Sequence, residues 1–350
     1  MPAASPRKKK TAPSAGDNPF GRDTRIRVLS EYFETAGDVT AENAWEHVYK
    51  CLLWMNEATG LAHIYDANHM QPGKFFYTRA VRFTDELCKV WNIEKRELPG
   101  LIDKLFKGCV ADWRKIKLVN PVEIDDQIVS DLRISIGEIL KKEGVETERV
   151  EEVAKRIETL SQDFFTIGNK RKNALGEGFE DLLWMLLKRV SNVPGGKVAL
   201  RKPVSKLPGF RKATPKRPDA KREREPHPDL AFYDAGVTQI IVTAKWSMRQ
   251  DREMQFHSEF AAYQRGKTQQ TELQFALITN EFDTARLDNV ARAIPTGAGG
   301  YIFHVIYHIN PALLIATQQE RIGMVGHWIG AGKIRSLESW LNEMRESFGS

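Results

Sequence analysis

The sequence predicts an α/β protein in which a mixed sheet is flanked by helices and preceded by a helical N-terminal domain. Two patterns and a size argument carry this expectation. A β-branched hairpin at Leu230–Thr243 is followed by two further apolar runs, Leu273–Ile278 and Tyr301–Ile309, with helical segments between them. Such alternation indicates a mixed sheet covered on both faces. From Ile26 to Ser161, apolar residues instead recur at helical spacing. A chain of 350 residues, 41% hydrophobic and 28% charged, is long and apolar enough for a sizeable core. The expected division is a basic disordered tail over 1–25, a helical domain over 26–160 and the sheet domain over 161–350.

The N-terminal segment is rich in Pro, Ala, Ser and basic residues, with Arg7-Lys8-Lys9-Lys10 at its centre, and is predicted to be disordered. Helices follow at Ile26–Phe33 and Ala44–Leu53, then at Leu98–Trp113, Ile128–Leu140 and Val145–Leu160. The section around Gly60–Tyr77 reads as poorly regular. His63 and His69 within it have no partners at metal-ligand spacing, so they read as ordinary histidines. A further amphipathic helix opens near Gly176, Lys197–Arg201 suggests a short strand, and the Lys-, Arg- and Pro-rich connection up to Arg224 reads as a loop. The turn signal Asp234-Ala235-Gly236 joins the hairpin strands. Asp283–Ala293 is a helix candidate, and Ser336–Phe348 closes the chain as another.

Composition narrows the function classes. No apolar run is long enough to span a bilayer and the N-terminus lacks a hydrophobic leader, so a cytoplasmic protein without a membrane partner is expected. Cys51, Cys88 and Cys109 are scattered without a CxxC pair, which indicates buried, reduced thiols. The formal net charge is +6, and residues 170–224 hold 16 Lys or Arg against 5 Asp or Glu. That imbalance suits a polyanion such as DNA; from composition alone a solvated basic loop explains it equally well.

The chemistry concentrates in Pro228–Glu259. Asp229 stands at the head of one hairpin strand, and alternation along the other puts Thr243 and Lys245 on one face, with Lys245 at its end. The following segment is polar and helical, carrying Arg249, Asp251, Arg252 and, about two turns on, Glu259. A helix crossing back over the hairpin places Glu259 beside Asp229 and Lys245. Two carboxylates and a lysine so arranged suit metal-assisted hydrolysis of a phosphodiester, because Mg²⁺ prefers oxygen ligands and retains waters. His257, His304 and His308 lack a nucleophile or ligand partner.

Pro228-Asp229, Thr243-Ala244-Lys245 and Glu259 together resemble the PD-(D/E)XK nuclease core in a permuted form, where the second acid comes from the next helix. Lys245-x3-Arg249-x-Asp251-Arg252 is similar to the signature of type II restriction endonucleases that recognise a CCGG core. The resemblance implies a PD-(D/E)XK restriction-endonuclease-like fold, with Asp229, Lys245 and Glu259 catalytic and Asp229 and Glu259 holding Mg²⁺. It also implies that Arg249, Asp251 and Arg252 read bases. That agrees with the ability of arginine to donate two bonds to guanine and of aspartate to accept from cytosine N4. Gly176-x-x-Phe179-Glu180 is similar to the first core helix of many restriction enzymes, which makes the acidic Glu180 a fourth catalytic candidate. Sixteen positions separate Asp229 from Lys245, fewer than in several members of the family, and a tight hairpin spans them.

The implied activity is double-strand cleavage at a palindromic CCGG site by a homodimer or tetramer, with a companion DNA methyltransferase protecting the cell's own sites. Two alternatives stay open: a CCNGG core, and a sequence-specific DNA-binding protein with an inactive nuclease core.

Overall fold

A computed structural model of the chain describes residues 18–53, 75–119, 127–211, 225–248, 252–268, 272–295, 300–319 and 322–349. Its helices are α1 (Arg22–Thr35), α2 (Ala44–Leu52), α3 (Phe75–Trp91), α4 (Leu98–Leu101), α5 (Lys104–Val119), α6 (Gln127–Lys142), α7 (Thr147–Val190), α8 (Arg252–Gly266), α9 (Thr284–Arg292), α10 (Pro311–Thr317), α11 (Gly323–Gly330) and α12 (Leu337–Phe348). Its strands are β1 (Val198–Leu200), β2 (Leu230–Asp234), β3 (Val237–Lys245), β4 (Gln274–Thr279), β5 (Val305–His308) and β6 (Ile334–Ser336). Two compact units emerge, one from residues up to Ser30 with Leu105–Leu175, the other from Glu31–Lys104 with Gly176–Ser350. The boundary expected at 160/161 falls inside α7, and the helical region expected over 26–160 contributes to both units.

In the first unit, α1 approaches α5 closely enough that a Cβ on Gly108 would lie 2.8 Å from both Cγ atoms of Val28. Arg27 pairs with Asp112 across the same contact. Val150 and Ala154 of α7 are buried, and Arg171 lies over the Phe106 ring.

The second unit is mixed α/β, built on a six-stranded sheet in the order β1-β2-β3-β4-β5-β6. The strands β1, β2 and β3 pair antiparallel, whereas β3 to β6 pair parallel. Ala235 and Gly236 close the β2–β3 hairpin with φ of 47° and 78°. Positive φ at both central residues matches the twist that a two-residue hairpin requires. The central parallel strands β4 and β5 are almost wholly buried, as is β3 from Ile241 to Ala244, as expected where both faces are covered. Register then sorts side chains between the two faces. Phe232 and Ile240 are paired, and Phe232 packs on Trp340 and Phe348 of α12. Ile241 and Phe275 are paired on the other face, where Phe275 packs on Phe260 and Tyr263 of α8. Because side chains alternate along a strand, Thr243 and Lys245 share the α8 face with Ile241, and Asp229 shares it with Ala231. Among the described residues, no helix is long and apolar enough to cross a membrane.

Several elements depart from the sequence reading. The helix expected over Leu98–Trp113 is broken at Asp103, whose φ is +64°. The segments expected at 145–160 and from Gly176 onward form one 44-residue helix, so Gly176 lies within α7 and does not open it. The strand expected at Tyr301–Ile309 narrows to Val305–His308, α3 falls in the stretch read as helical without having been delimited, and α10, α11 and β6 were not anticipated. Of the expected tail over 1–25, residues 1–17 lie outside the described residues, as do residues 60–74 of the irregular section and the basic loop over 212–224; the end of that tail is instead ordered, with α1 starting at Arg22 and Arg25 buried. Cys51 and Cys109 are buried and Cys88 half-buried, and none of the three forms a disulfide.

Candidate active site

Antiparallel pairing sets the first residue of β2 beside the end of β3, with Leu230 opposite Val242. Asp229, one position before β2, therefore meets the last two residues of β3. Its Oδ2 accepts from the Ala244 main-chain N–H at 2.7 Å and from Lys245 Nζ at 2.6 Å. The pair is mostly shielded, with side-chain exposures of 13% for Asp229 and 21% for Lys245.

Glu180 joins this pair from α7. Its Oε2 accepts from Arg201 Nη1 at 2.7 Å, and the neighbouring Asp181, whose side chain is fully buried, also pairs with Arg201. Burial pushes the Glu180 carboxyl up to about 7; the charge of Asp229 adds to the rise, while Lys245 and Arg201 oppose it. Burial acts in the other direction on the Lys245 ammonium, but Asp229, by charge and hydrogen bond, with Glu180 and Glu259, raises its pKa above the ordinary lysine value. The balance favours the charged form of Lys245.

Glu259 lies on α8 in electrostatic reach of Lys245 and accepts from Gln255 Nε2 one turn earlier. One turn beyond it, Tyr263 is buried, and burial with the charges of Glu259 and Asp229 keeps its hydroxyl protonated. All four predicted catalytic residues, Asp229, Lys245, Glu259 and Glu180, therefore act on one electrostatic centre.

The donor set can be tested against the expected Mg²⁺. Among the described residues, no three His, Cys, Asp or Glu side chains converge as a group ready to hold a metal. The chemistry of the acids nevertheless fits a hard cation. Asp229 and Glu180 make their hydrogen bonds through Oδ2 and Oε2, which leaves Oδ1 and Oε1 as oxygen donors. Glu180 and Asp229 also lie within reach of one another's charge, so a divalent cation between them would be attracted to both. Glu180 thereby joins Asp229 and Glu259 as a candidate ligand.

Of the predicted base-reading residues, Arg249 and Asp251 lie outside the described residues, and Arg252 supplies the first helical residue of α8. His63 and His69 also lie outside them. His257 is half-buried on α8, two positions before Glu259. His304 and His308 have structural partners: His304 Nδ1 accepts from the Phe275 N–H at 3.0 Å, and His308 bridges Glu281 and Asn310. Sequence reasoning missed Arg201 and Tyr263. Arg201 ends the predicted Lys197–Arg201 strand, but its basic neighbours disguised it as part of a charged loop. Tyr263 stands four residues after Glu259, a helical spacing that offered a signal.

No protein-family model matches the chain, and a search of curated proteins gives no match.

Proposed function

We propose that the chain is a type II restriction endonuclease of the PD-(D/E)XK class, a Mg²⁺-dependent enzyme that hydrolyses both strands of DNA at a palindromic site with a CCGG core. The observation that carries the proposal is the Lys245–Asp229 pair at the open end of the β2–β3 hairpin, with the Glu180 and Glu259 charges acting on it. Mg²⁺, when bound, would orient and acidify a water and neutralise charge developing on the phosphate. The chain's own residues prepare for that. Lys245 and the Ala244 N–H immobilise one Asp229 oxygen, which fixes the orientation of the carboxylate. Lys245, protonated and largely desolvated, provides positive charge for the scissile phosphate in a setting where charge is weakly screened. Arg249, Asp251 and Arg252 are proposed to read the C·G pairs. A homodimer, alone or paired into a tetramer, suits a twofold target, and a cell carrying such an activity needs a methyltransferase to protect its own sites.

The test is digestion of a fully sequenced DNA by the purified protein in Mg²⁺, with fragment ends mapped by sequencing. Discrete ends sharing CCGG are expected, and ends sharing CCNGG would change the target but keep the reaction. Intact DNA accompanied by specific retention in a gel shift would replace the endonuclease with a DNA-binding protein on an inactive core.

A further inference from the structure

Arg201 follows β1 with a φ of +50°, in the left-handed region that side chains other than glycine's seldom adopt. From there it makes contacts in two directions. Its main-chain N–H donates to the carbonyl oxygen of Asp229 at 3.0 Å. Its guanidinium reaches α7, where Nη1 donates to Glu180 Oε2 at 2.7 Å and to the Glu177 carbonyl at 3.2 Å, and Nη2 donates to Asp181 Oδ1. One residue is thus bonded to both of the innermost candidate ligands, to Asp229 through its backbone and to Glu180 through its side chain.

We infer that Arg201 is a positioning residue for the divalent cation: it holds Glu180 by one oxygen, in register with Asp229, so that the two carboxylates bind metal as a pair. The inference rests on the metal-dependent reading above. Neutralising the buried Asp181 would need only a positive charge. Holding two adjacent acids and a carbonyl at once needs the rigid fork of a guanidinium, which lysine lacks. Residues that orient metal ligands typically change metal affinity or activity by about 10- to 100-fold when altered.

The experiment titrates full-length wild type, Arg201→Lys and Asp181→Asn with Mn²⁺ alone, without DNA, by calorimetry, alongside metal-free thermal unfolding. Mn²⁺ takes the same oxygen ligands as Mg²⁺. Arg201→Lys is expected to weaken Mn²⁺ binding by about 10- to 100-fold. The Mg²⁺ concentration for half-maximal DNA cleavage should rise by the same factor, with the rate recovered at saturation. Asp181→Asn is expected to lower the unfolding midpoint while leaving Mn²⁺ affinity unchanged. If Arg201→Lys does not fold, Arg201→Met combined with Asp181→Asn removes both buried charges together and must show the same loss of Mn²⁺ affinity. An Arg201 variant that binds Mn²⁺ as tightly as wild type, whatever its stability, overturns the inference and leaves the endonuclease reading standing. A wild type that binds no Mn²⁺ in the absence of DNA also overturns the inference, and the endonuclease reading is then decided by the digestion alone.

Discussion

Glu281, two residues beyond the end of β4, has a fully buried carboxyl group that accepts from the Met248 N–H at 2.7 Å through Oε2 and from the Asp283 N–H at 2.8 Å through Oε1. Burial pushes its pKa from 4.5 up to about 7, while the two N–H donors and Arg286 oppose the rise. A tenfold change in proton affinity is worth about 1.4 kcal/mol, so the full rise corresponds to about 3 kcal/mol. A raised pKa in the folded state means that this stability is complete below pH 4.5 and is lost as the pH climbs to about 7, because the unfolded chain releases the proton first.

His308 works in the opposite sense. Its Nδ1 accepts from the Asn310 N–H at 3.1 Å, so Nε2 carries the hydrogen that is donated to the Glu281 carbonyl at 3.0 Å. Burial lowers its pKa from 6.5 to about 4, so its contribution is complete above 6.5 and is lost as the pH falls toward 4. Between pH 4.5 and 6.5 the two slopes oppose one another in the wild type. Glu281→Gln removes one slope and leaves the other. Urea unfolding of both proteins at pH 4.5 to 8 should show the stability of the wild type relative to the variant falling by about 3 kcal/mol as the pH rises to 7, then levelling. The amide has one acceptor fewer, which adds a fixed offset; the slope is the test. A difference that stays constant over this range would mean that the two N–H donors and Arg286 keep Glu281 ionised throughout, and the burial argument would fail.

Other outcomes follow from the same geometry. Lys245→Gln keeps a donor for Asp229 but removes the charge, so cleavage should fall at least about 100-fold while retention of specific DNA in a gel shift persists; unchanged cleavage would remove Lys245 from the site. Phe282 is fully buried, with its ring centroid 5.1 Å from that of Phe83 and 5.3 Å from that of His308. Phe282→Ala should cost about 3–5 kcal/mol in chemical denaturation. Ala235 holds a φ of +47° in the hairpin turn, a conformation that asparagine tolerates better, so Ala235→Asn should stabilise the protein by up to about 1 kcal/mol, read as a raised midpoint of unfolding.

The parts of the fold that were legible in the sequence are those with local signals. Asp234-Ala235-Gly236 marked the hairpin, and the apolar run Leu273–Ile278 lies within one residue of β4 at each end. Asp283 and Ser336 cap α9 and α12 with their side chains, as residues of their types commonly do. The misread parts have no such marks. The break between α4 and α5 is made by Asp103 in a left-handed conformation, with Pro99 and Gly100 standing earlier, inside α4. The three residues of β6 are too few to show a period. Asp229 and Lys245 were legible as neighbours because hairpin pairing is local, whereas the contacts of Arg201 were not, since its partners lie up to 28 positions away and meet only after α7 packs beside β1 and β2.

The site's position follows from where the sheet changes sense. Lys245, Thr279, His308 and Ser336 stand side by side in register across the ends of β3 to β6, so the loops leaving these parallel strands gather along one edge. Ligands of open α/β sheets bind beyond the carboxyl ends of their strands. Here that edge is also laced together: the Asn280 N–H donates to the Trp246 carbonyl, Glu281 accepts from the Met248 N–H, Arg286 donates to the Met248 carbonyl, and His308 binds the Glu281 carbonyl. Both polar groups of the Met248 backbone are therefore held, one residue before Arg249. On the proposed reading, the ends of β4 and β5 fix where the base-reading segment starts relative to Lys245. Cleavage and recognition would then share a single rigid reference, with the fully buried Glu281 carboxyl as one of its ties.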